Sequence, residues 1–230
     1  MNAVNKTEQL SCTPQENPSL LDNCIVHKGV EKVDHFKTSI KLFIQYAEYV
    51  HFNTCMLSFI SKKFNLQKRR LYDMVNVLKA VGCCKKASTN CLCWLGLANI
   101  KCVLVEMKEK AKKLSIDVLF PDEKSISIIG LTSSFMLLFF VKNTNTLSLK
   151  ESASFLSRKN GRYKTTVCKL YQIAYILDAI GVIMKSSAKS GEFILADCYF
   201  YCEEETEPTI ETIDTNKITS LSHLLNRPIK

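Results

Sequence analysis

Two segments of the chain share one order of apolar and polar positions. Leu71–Lys86 reads LYDMVNVLKAVGCCKK, and Leu170–Lys185, 99 residues later, reads LYQIAYILDAIGVIMK, with six of sixteen positions identical. In the first segment one helical stripe holds Leu71, Met74, Val75, Leu78 and Val81. Each segment predicts a helix that stops near a glycine, Gly82 or Gly181. The repeat predicts that the two halves of the chain share one fold.

Each repeated helix is expected to be the third of its half. First helices are predicted at Thr38–Val50 and within Ser125–Val141. A shorter helix follows, and in the second half it opens with the capping-box spacing of Ser148 and Glu151. After the third helix, strand-like runs enclose polar turns: GCCKK–ASTN–CLCWLG in the first half and GVIMK–SSAKSG–EFILA in the second.

Three helices followed by a β-hairpin are the layout of a winged helix-turn-helix, a fold whose third helix enters the major groove of DNA. We therefore predict a mainly helical α+β protein with two tandem winged helix-turn-helix domains, each of three helices plus a β-hairpin wing. The expected organisation is an irregular N-terminal segment (1–33), a first domain (34–100), a charged and partly helical linker (101–123), a second domain with a degenerate recognition motif (124–200) and an acidic, flexible tail (201–230).

The charge of the chain favours a polyanionic partner. The net charge is +9 over 230 residues. Residues 28–97 hold 12 basic and 4 acidic side chains, a net of +8, and residues 124–200 hold 10 and 4, a net of +6. Such an excess suits nucleic acid or an acidic membrane surface.

Two observations bear on the compartment. The N-terminus lacks the pattern of a signal peptide, so the eleven cysteines are interpreted as reduced thiols of the cytosol or nucleus. The uncharged segment Ser125–Val141 is 17 residues long, at the lower limit for a bilayer span. Its four serines, one threonine and one glycine favour a buried helix, with a membrane span as the alternative.

Cations are concentrated at the start of the repeated helix in the first half. Lys68, Arg69 and Arg70 stand side by side where the helix dipole disfavours positive charge, which points to an external anion. A guanidinium fork matches the O6 and N7 acceptors of guanine. Asp73 lies one turn after Arg69 and is expected to hold that side chain in place. The alternative is a solvated surface patch.

The segment KRRLYDMVNVLKAVG, with a wing that ends in Trp94 and Gly96, resembles the DNA-binding domain of the E-two-factor / dimerisation-partner (DP) family of transcription factors. The signature of that family is Arg-Arg-x-Tyr-Asp, then Asn-Val-Leu, then Trp-x-Gly. Two such units in one chain resemble the atypical members, which bind DNA without a separate dimerisation partner. The resemblance covers both halves of the chain.

The resemblance implies particular DNA contacts. Arg69 and Arg70 would read guanines in a TTT(G/C)(G/C)CGC-type site, and Tyr72 and Asn76 would contact phosphate or position the helix. Lys68, Lys85 and Lys86 would meet the DNA backbone, which fixes register without reading sequence.

In the second half, Cys168 and Lys169 replace the two arginines, Gln172 replaces the aspartate and Tyr175 replaces the asparagine, while Tyr171 remains. Base reading by the second domain is therefore in question. We expect that the first domain specifies the site. The second domain anchors, through Lys169 and Tyr171, or acts as a built-in partner.

The predicted function is a sequence-specific double-stranded-DNA-binding transcription regulator in the nucleus, of cell-cycle type, with repression favoured over activation. A second winged-helix chain or a homodimer is a further candidate partner. The chain is not expected to be an enzyme, to use a cofactor, to bind a small-molecule substrate or to enter a membrane. The alternative function is a winged-helix protein-interaction scaffold with vestigial DNA binding.

Two further interpretations concern the wing of the first half. Cys83, Cys84, Cys91 and Cys93 could approach one another as zinc ligands, but their spacing is unusual and small apolar packing explains them. Trp94, the single tryptophan, is expected to pack the wing against the core.

Overall fold

A computed structural model describes residues 34–121 and 127–201. Its helices are α1 His35–Val50, α2 Leu57–Lys63, α3 Lys68–Ala80, α4 Asn99–Lys113, α5 Ile116–Leu119, α6 Ile128–Val141, α7 Leu149–Leu156, α8 Tyr163–Ala179 and α9 Asp197–Phe200. Its strands are β1 Cys55–Met56, β2 Cys84–Ser88, β3 Cys91–Trp94, β4 Thr146–Ser148, β5 Ile183–Lys185 and β6 Glu192–Leu195. The predicted mainly helical α+β class is confirmed. The predictions for 1–33 and 202–230 lie outside the described residues.

The first set of elements runs from α1 to β3, and its sheet has three strands rather than the two that the sequence predicts. The strands are antiparallel in the order β1-β3-β2. Strand β1 pairs Cys55 with Leu92 and Met56 with Cys91. A two-residue strand is too short to show a period of two, so the hydrophobic pattern could not reveal it.

The second set runs from α6 to β6 and repeats that order. Its antiparallel sheet has the order β4-β6-β5, so the short strand before the second helix again pairs with the last strand. The predicted N-cap at Ser148 is confirmed, because its hydroxyl accepts a hydrogen bond from the Glu151 amide at 3.5 Å. The two sets thus have matching element order and matching sheet topology.

Helices α3 and α8 end in the same way, as their glycines predict. After α3, the Gly82 amide donates to Lys79 and the Cys83 amide to Leu78; after α8, the Gly181 amide donates to Asp178 and the Val182 amide to Leu177. This is the Schellman pattern, whose glycine takes a positive φ, here 82° and 77°. Both helices therefore turn directly into a wing strand.

Helix α6 joins the two sets in one hydrophobic core. It packs against α3 and α4 as well as α7 and α8, so apolar residues are needed around most of its circumference. Phe135, Met136 and Phe139 are fully buried. This explains why helix α6, the part of the uncharged stretch that forms a described helix, is apolar around most of its circumference. In the part of the chain that the structure describes, no helix combines the length and the hydrophobicity needed to cross a bilayer.

The segment expected to be a charged linker contains helix α4. Ile100 and Leu104 on this helix are fully buried, and α4 packs against α6. The charged residues of α4 include exposed Lys110 and Lys113, which pair with Glu106 and Glu109 on the same helix. One face of the segment is thus part of the core, and the rest is a solvated helix surface.

Candidate nucleic-acid interface

Helix α3 presents three adjacent cations to solvent in its first turn. Lys68, Arg69 and Arg70 are all exposed, and no acidic residue lies in that turn. Gln67 precedes the helix without a side-chain capping bond. The partial positive charge of the helix start is therefore increased by three cationic side chains, which makes this end of α3 suited to an anion.

The opposite face of α3 is held by the core. All five residues of the predicted stripe are buried: Leu71, Met74, Val75, Leu78 and Val81. Val77 and Ala80 are buried too, and α3 packs against α6 and α8 as well as against its own set. The buried face is thus wider than the sequence predicts. Tyr72 remains 37% exposed beside the cations, and Asn76 is half-buried.

The wing of the first set carries two further cations. Lys85 and Lys86 are exposed on β2, opposite Cys93 and Leu92 of β3. Trp94 fixes the base of this hairpin: its indole lies edge-on to Phe43 at 5.8 Å, and its Nε1 donates to Glu48 at 2.9 Å. The predicted packing role of Trp94 is confirmed.

Asp73 of α3 lies at a cleft that residues of α8 also line. It is half-buried and lines, with Arg70, a cleft of about 340 Å³ beside α1 and α8. Among the described residues no ion pair joins Asp73 to Arg69, so that pairing stays a prediction. We call this space the α3–α8 cleft. Its lining residues are Asp34, Phe36, Arg70, Asp73, Tyr171, Gln172, Tyr175 and Ile176.

Three side chains from three helices form a stack at this cleft. The Arg70 guanidinium lies over the Phe36 ring, 5.6 Å from its centroid, which is within cation–π range. The Phe36 ring lies parallel to that of Tyr175, with centroids 5.6 Å apart and an interplanar angle of 4°. The sequence analysis missed Phe36 and noted Tyr175 only as a departure from the family motif. An aromatic ring at the position matching Asn76 was the available signal.

Charged groups hold α1 against α8 at the same place. Lys37 pairs with Asp178 at 2.5 Å, and Asp34 caps α1 by accepting from the Lys37 amide at 3.3 Å. The phenol of Tyr175 is the main cause that lowers the pKa of Asp34. Burial, and then the Asp34 carboxylate, raise the pKa of Tyr175. The two groups therefore favour an ionised Asp34 beside a neutral phenol.

Helix α8 presents different chemistry where α3 has its cations. Cys168 is exposed, Lys169 is half-buried and Tyr171 is 43% exposed. Helix α8 also begins at Tyr163, four residues before Val167, the position that matches Lys68 after the shift of 99. Exposed Lys164 lies in this additional first turn of α8, three residues before Val167.

The four wing cysteines do not form an open thiol cluster. Cys83 and Cys84 are buried, and burial raises the pKa of both thiols, that of Cys84 to about 12. Cys91 and Cys93 are half-buried. Within residues 34–121 and 127–201, no three His, Cys, Asp or Glu side chains are grouped so that they could hold a metal ion. The two buried thiols therefore pack as small protonated side chains.

Comparison with known proteins finds a family model that matches the first set. Residues 37–96 match the model of the winged-helix DNA-binding domain of the E-two-factor/DP family, which confirms the resemblance found in the sequence. The chain is 23% identical over 173 residues to transcription factor E-two-factor 7 of Danio rerio, covering 64% of this chain and 24% of that protein. It is 23% identical over 181 residues to transcription factor E-two-factor 7 of Xenopus tropicalis, covering 57% and 21%. The chain thus spans about a quarter or less of the length of these relatives.

Proposed function

We propose that this chain is a sequence-specific double-stranded-DNA-binding transcription regulator. The observation that carries the proposal is the exposed Lys68-Arg69-Arg70 turn of α3, which lies inside the segment that matches a DNA-binding domain. In a winged helix this is the end of the third helix that meets the major groove. A nuclear location, a cell-cycle-type target set and a repressive effect follow from the same relationship and belong to the proposal. So does a non-enzymatic mode of action.

In this proposal the residues of the first set divide into two roles. Arg69 and Arg70 read guanine edges of a TTT(G/C)(G/C)CGC-type site, because a planar fork donates to O6 and N7 together. Lys68 at the helix start, with Lys85 and Lys86 on the wing, contacts phosphates. Phosphate contacts supply affinity and its salt dependence without selecting a sequence. Tyr72, Asp73 and Asn76 position α3 in the groove.

The second set acts as a second winged helix and as a built-in partner for the first. The matching element order, the matching sheet order and the shared Schellman ends support this assignment. The contacts of α8 with α1 and α3 support the partner role within one chain. Lys169 and Tyr171 are assigned to DNA-backbone contact, with Lys164 in the extra turn beside them. None of these residues offers the paired guanidinium forks of α3.

A protein-interaction scaffold with vestigial DNA binding is the second candidate function. The observation that favours it is the changed face of α8, where Cys168 and Gln172 replace an arginine and an aspartate of the family motif. The exposed arginines of α3 speak against it, since a vestigial reader has no need for them. The two candidates differ in whether the chain prefers one duplex sequence over another.

Binding to two duplexes tests the proposal. We expect wild type to prefer a TTTGGCGC-type duplex over a scrambled duplex by about tenfold or more at fixed salt, about 1.4 kcal/mol. Arg69→Ala/Arg70→Ala should abolish the preference. The matched variant Cys168→Ala/Lys169→Ala, at the corresponding positions of α8, should weaken binding to both duplexes while keeping their ratio. Equal binding of both duplexes by wild type would favour the scaffold.

A further inference from the structure

We infer that Phe36 and Tyr175 are positioning residues for Arg70, so that the second set controls base reading by the first. This inference rests on the proposed function. Its observation is the continuous stack in which Tyr175 of α8 supports Phe36 of α1, and Phe36 supports the Arg70 guanidinium of α3. The three residues are distant in sequence: Phe36 and Arg70 lie on two helices of the first set, and the packing of α8 against α1 adds Tyr175.

The contact with Phe36 leaves Arg70 accessible. The Arg70 Cζ lies 5.6 Å from the Phe36 ring centroid, within cation–π range. Arg70 remains an exposed residue in this arrangement. The ring therefore restricts the rotamers of a flexible side chain without consuming the fork, which lowers the entropy lost when the fork binds a guanine. Arg69 has no described aromatic partner, so the two arginines differ in this respect.

The lower part of the stack is fixed by α8. Phe36 lies in the first turn of α1, next to Lys37, whose ammonium pairs with Asp178 of α8. Tyr175 is packed on α8 with its phenol buried beside Asp34, the residue that caps α1. The Lys37–Asp178 ion pair and the contact between the Phe36 and Tyr175 rings thus link the start of α1 to α8.

Position 175 explains a departure from the family motif. It matches Asn76 of α3, and an asparagine there would offer Phe36 a small carboxamide in place of an aromatic ring. The residue that replaces a positioning asparagine of the motif thus supports a side chain of α3 instead. On this account the degenerate helix contributes to specificity through Arg70 rather than through contact with bases.

The test uses ring-removing and ring-keeping variants of the full chain. Phe36→Leu and Tyr175→Leu remove the stack but stay apolar, whereas Tyr175→Phe keeps the ring and removes only the phenol. We expect each leucine variant to reduce the preference for the TTTGGCGC-type duplex about two- to fivefold, the range of an exposed cation–π contact. Binding to the scrambled duplex should be unchanged, and Tyr175→Phe should keep the wild-type preference.

A second arm separates positioning from general damage. In an Arg70→Ala background, Phe36→Leu should cause no further loss of preference, because the residue through which it acts is gone. An equal loss in both backgrounds would overturn the inference and assign Phe36 to structure. Full preference in both leucine variants would also overturn it while leaving the proposed function intact. A wild-type chain without any preference would instead overturn the proposed function, and this inference with it.

Discussion

Helices α3 and α8 carry similar apolar residues on their buried faces and different residues on their exposed faces. Six matched positions are buried in both: Leu71 and Leu170, Met74 and Ile173, Val75 and Ala174, Val77 and Ile176, Leu78 and Leu177, Ala80 and Ala179. The exposed side changes from two arginines to Cys168 and Lys169. Packing density restricts the first group to apolar residues of similar size, and no such restriction acts on the second.

The difference teaches that packing and surface chemistry are set by separate residues of one helix. A position such as Met74 is enclosed by the core, and a position such as Arg69 presents its charge to solvent. Position 175 breaks this division, because its side chain lies at the contact between the two sets and belongs to neither side alone. The predictions below test how far the two sets are distinct.

The largest effect is expected from Phe135→Ala in α6. This residue is fully buried, and its truncation should lower the free energy of unfolding by about 3–5 kcal/mol. Urea unfolding followed by the fluorescence of Trp94 measures the loss of stability. Because Trp94 lies in the first set and Phe135 in the second, it also shows whether the two sets unfold together.

Because α6 also packs against α3, the Trp94 transition should move to lower urea together with the far-UV circular dichroism signal. Tyr49→Ala, at a side chain that is 83% exposed, serves as the control and should change stability by about 0.5 kcal/mol or less. A Trp94 transition that stays in place in Phe135→Ala would mean that the two sets unfold independently.

The next effect separates the positive charge of Arg69 and Arg70 from the planar shape of their guanidinium groups. Arg69→Lys/Arg70→Lys keeps both positive charges and removes both planar forks, so we expect the duplex preference to fall by about 1–3 kcal/mol, roughly 5- to 150-fold. The salt dependence of binding should stay as in wild type. Lys169→Arg is the counterpart on α8 and should leave the preference unchanged. An unaltered preference in the α3 variant would mean that positive charge at these two positions is sufficient for the duplex preference.

A smaller effect is expected at the two wings. Lys85→Ala/Lys86→Ala should weaken binding to cognate and scrambled duplexes alike, and should reduce the slope of log K against log salt by about two. Lys185→Ala on the second wing should reduce it by about one, if both wings lie on phosphate. Titrations at several salt concentrations measure both slopes. A change in the ratio between duplexes would show that a wing lysine reads sequence.

The smallest effect should appear at the capping residue of α1. Asp34→Asn keeps a capping oxygen and removes the charge at the helix start, so the loss of stability should be a few tenths of a kcal/mol. Because the pKa of Asp34 is lowered in the folded state, its contribution is complete above about pH 4 and is lost as the pH falls through the folded pKa. The difference in urea midpoint between the two proteins should therefore be present at about pH 6 and vanish near about pH 2. A difference that persists in acid would assign the effect to the amide instead.

Local patterns predicted the parts of the fold that local interactions determine. The stripe that begins at Leu71, the glycine-ended helices and the cap at Ser148 each depend on a few neighbouring residues, and each agrees with the structure. Strands β1 and β4 were not predicted from the sequence, because they are two and three residues long and are defined by pairing with distant strands.

The candidate site divides in the same way. The exposed cations of α3 and the wing were visible in the sequence as a dipole-opposed cluster and a basic hairpin. The stack of Arg70, Phe36 and Tyr175 was not, since it depends on how α1, α3 and α8 pack together. No periodicity within one helix carries that information.

The position of α6 has a consequence for how such a chain can evolve. A repeated unit with a core of its own could be altered or deleted without effect on its neighbour. Here the second set supplies a helix whose buried residues, such as Phe139, belong to a core that also contacts α3 and α4. Any change that preserves the packing of α3 must therefore also preserve the scaffold of the second set, while the outer face of α8 stays free to change.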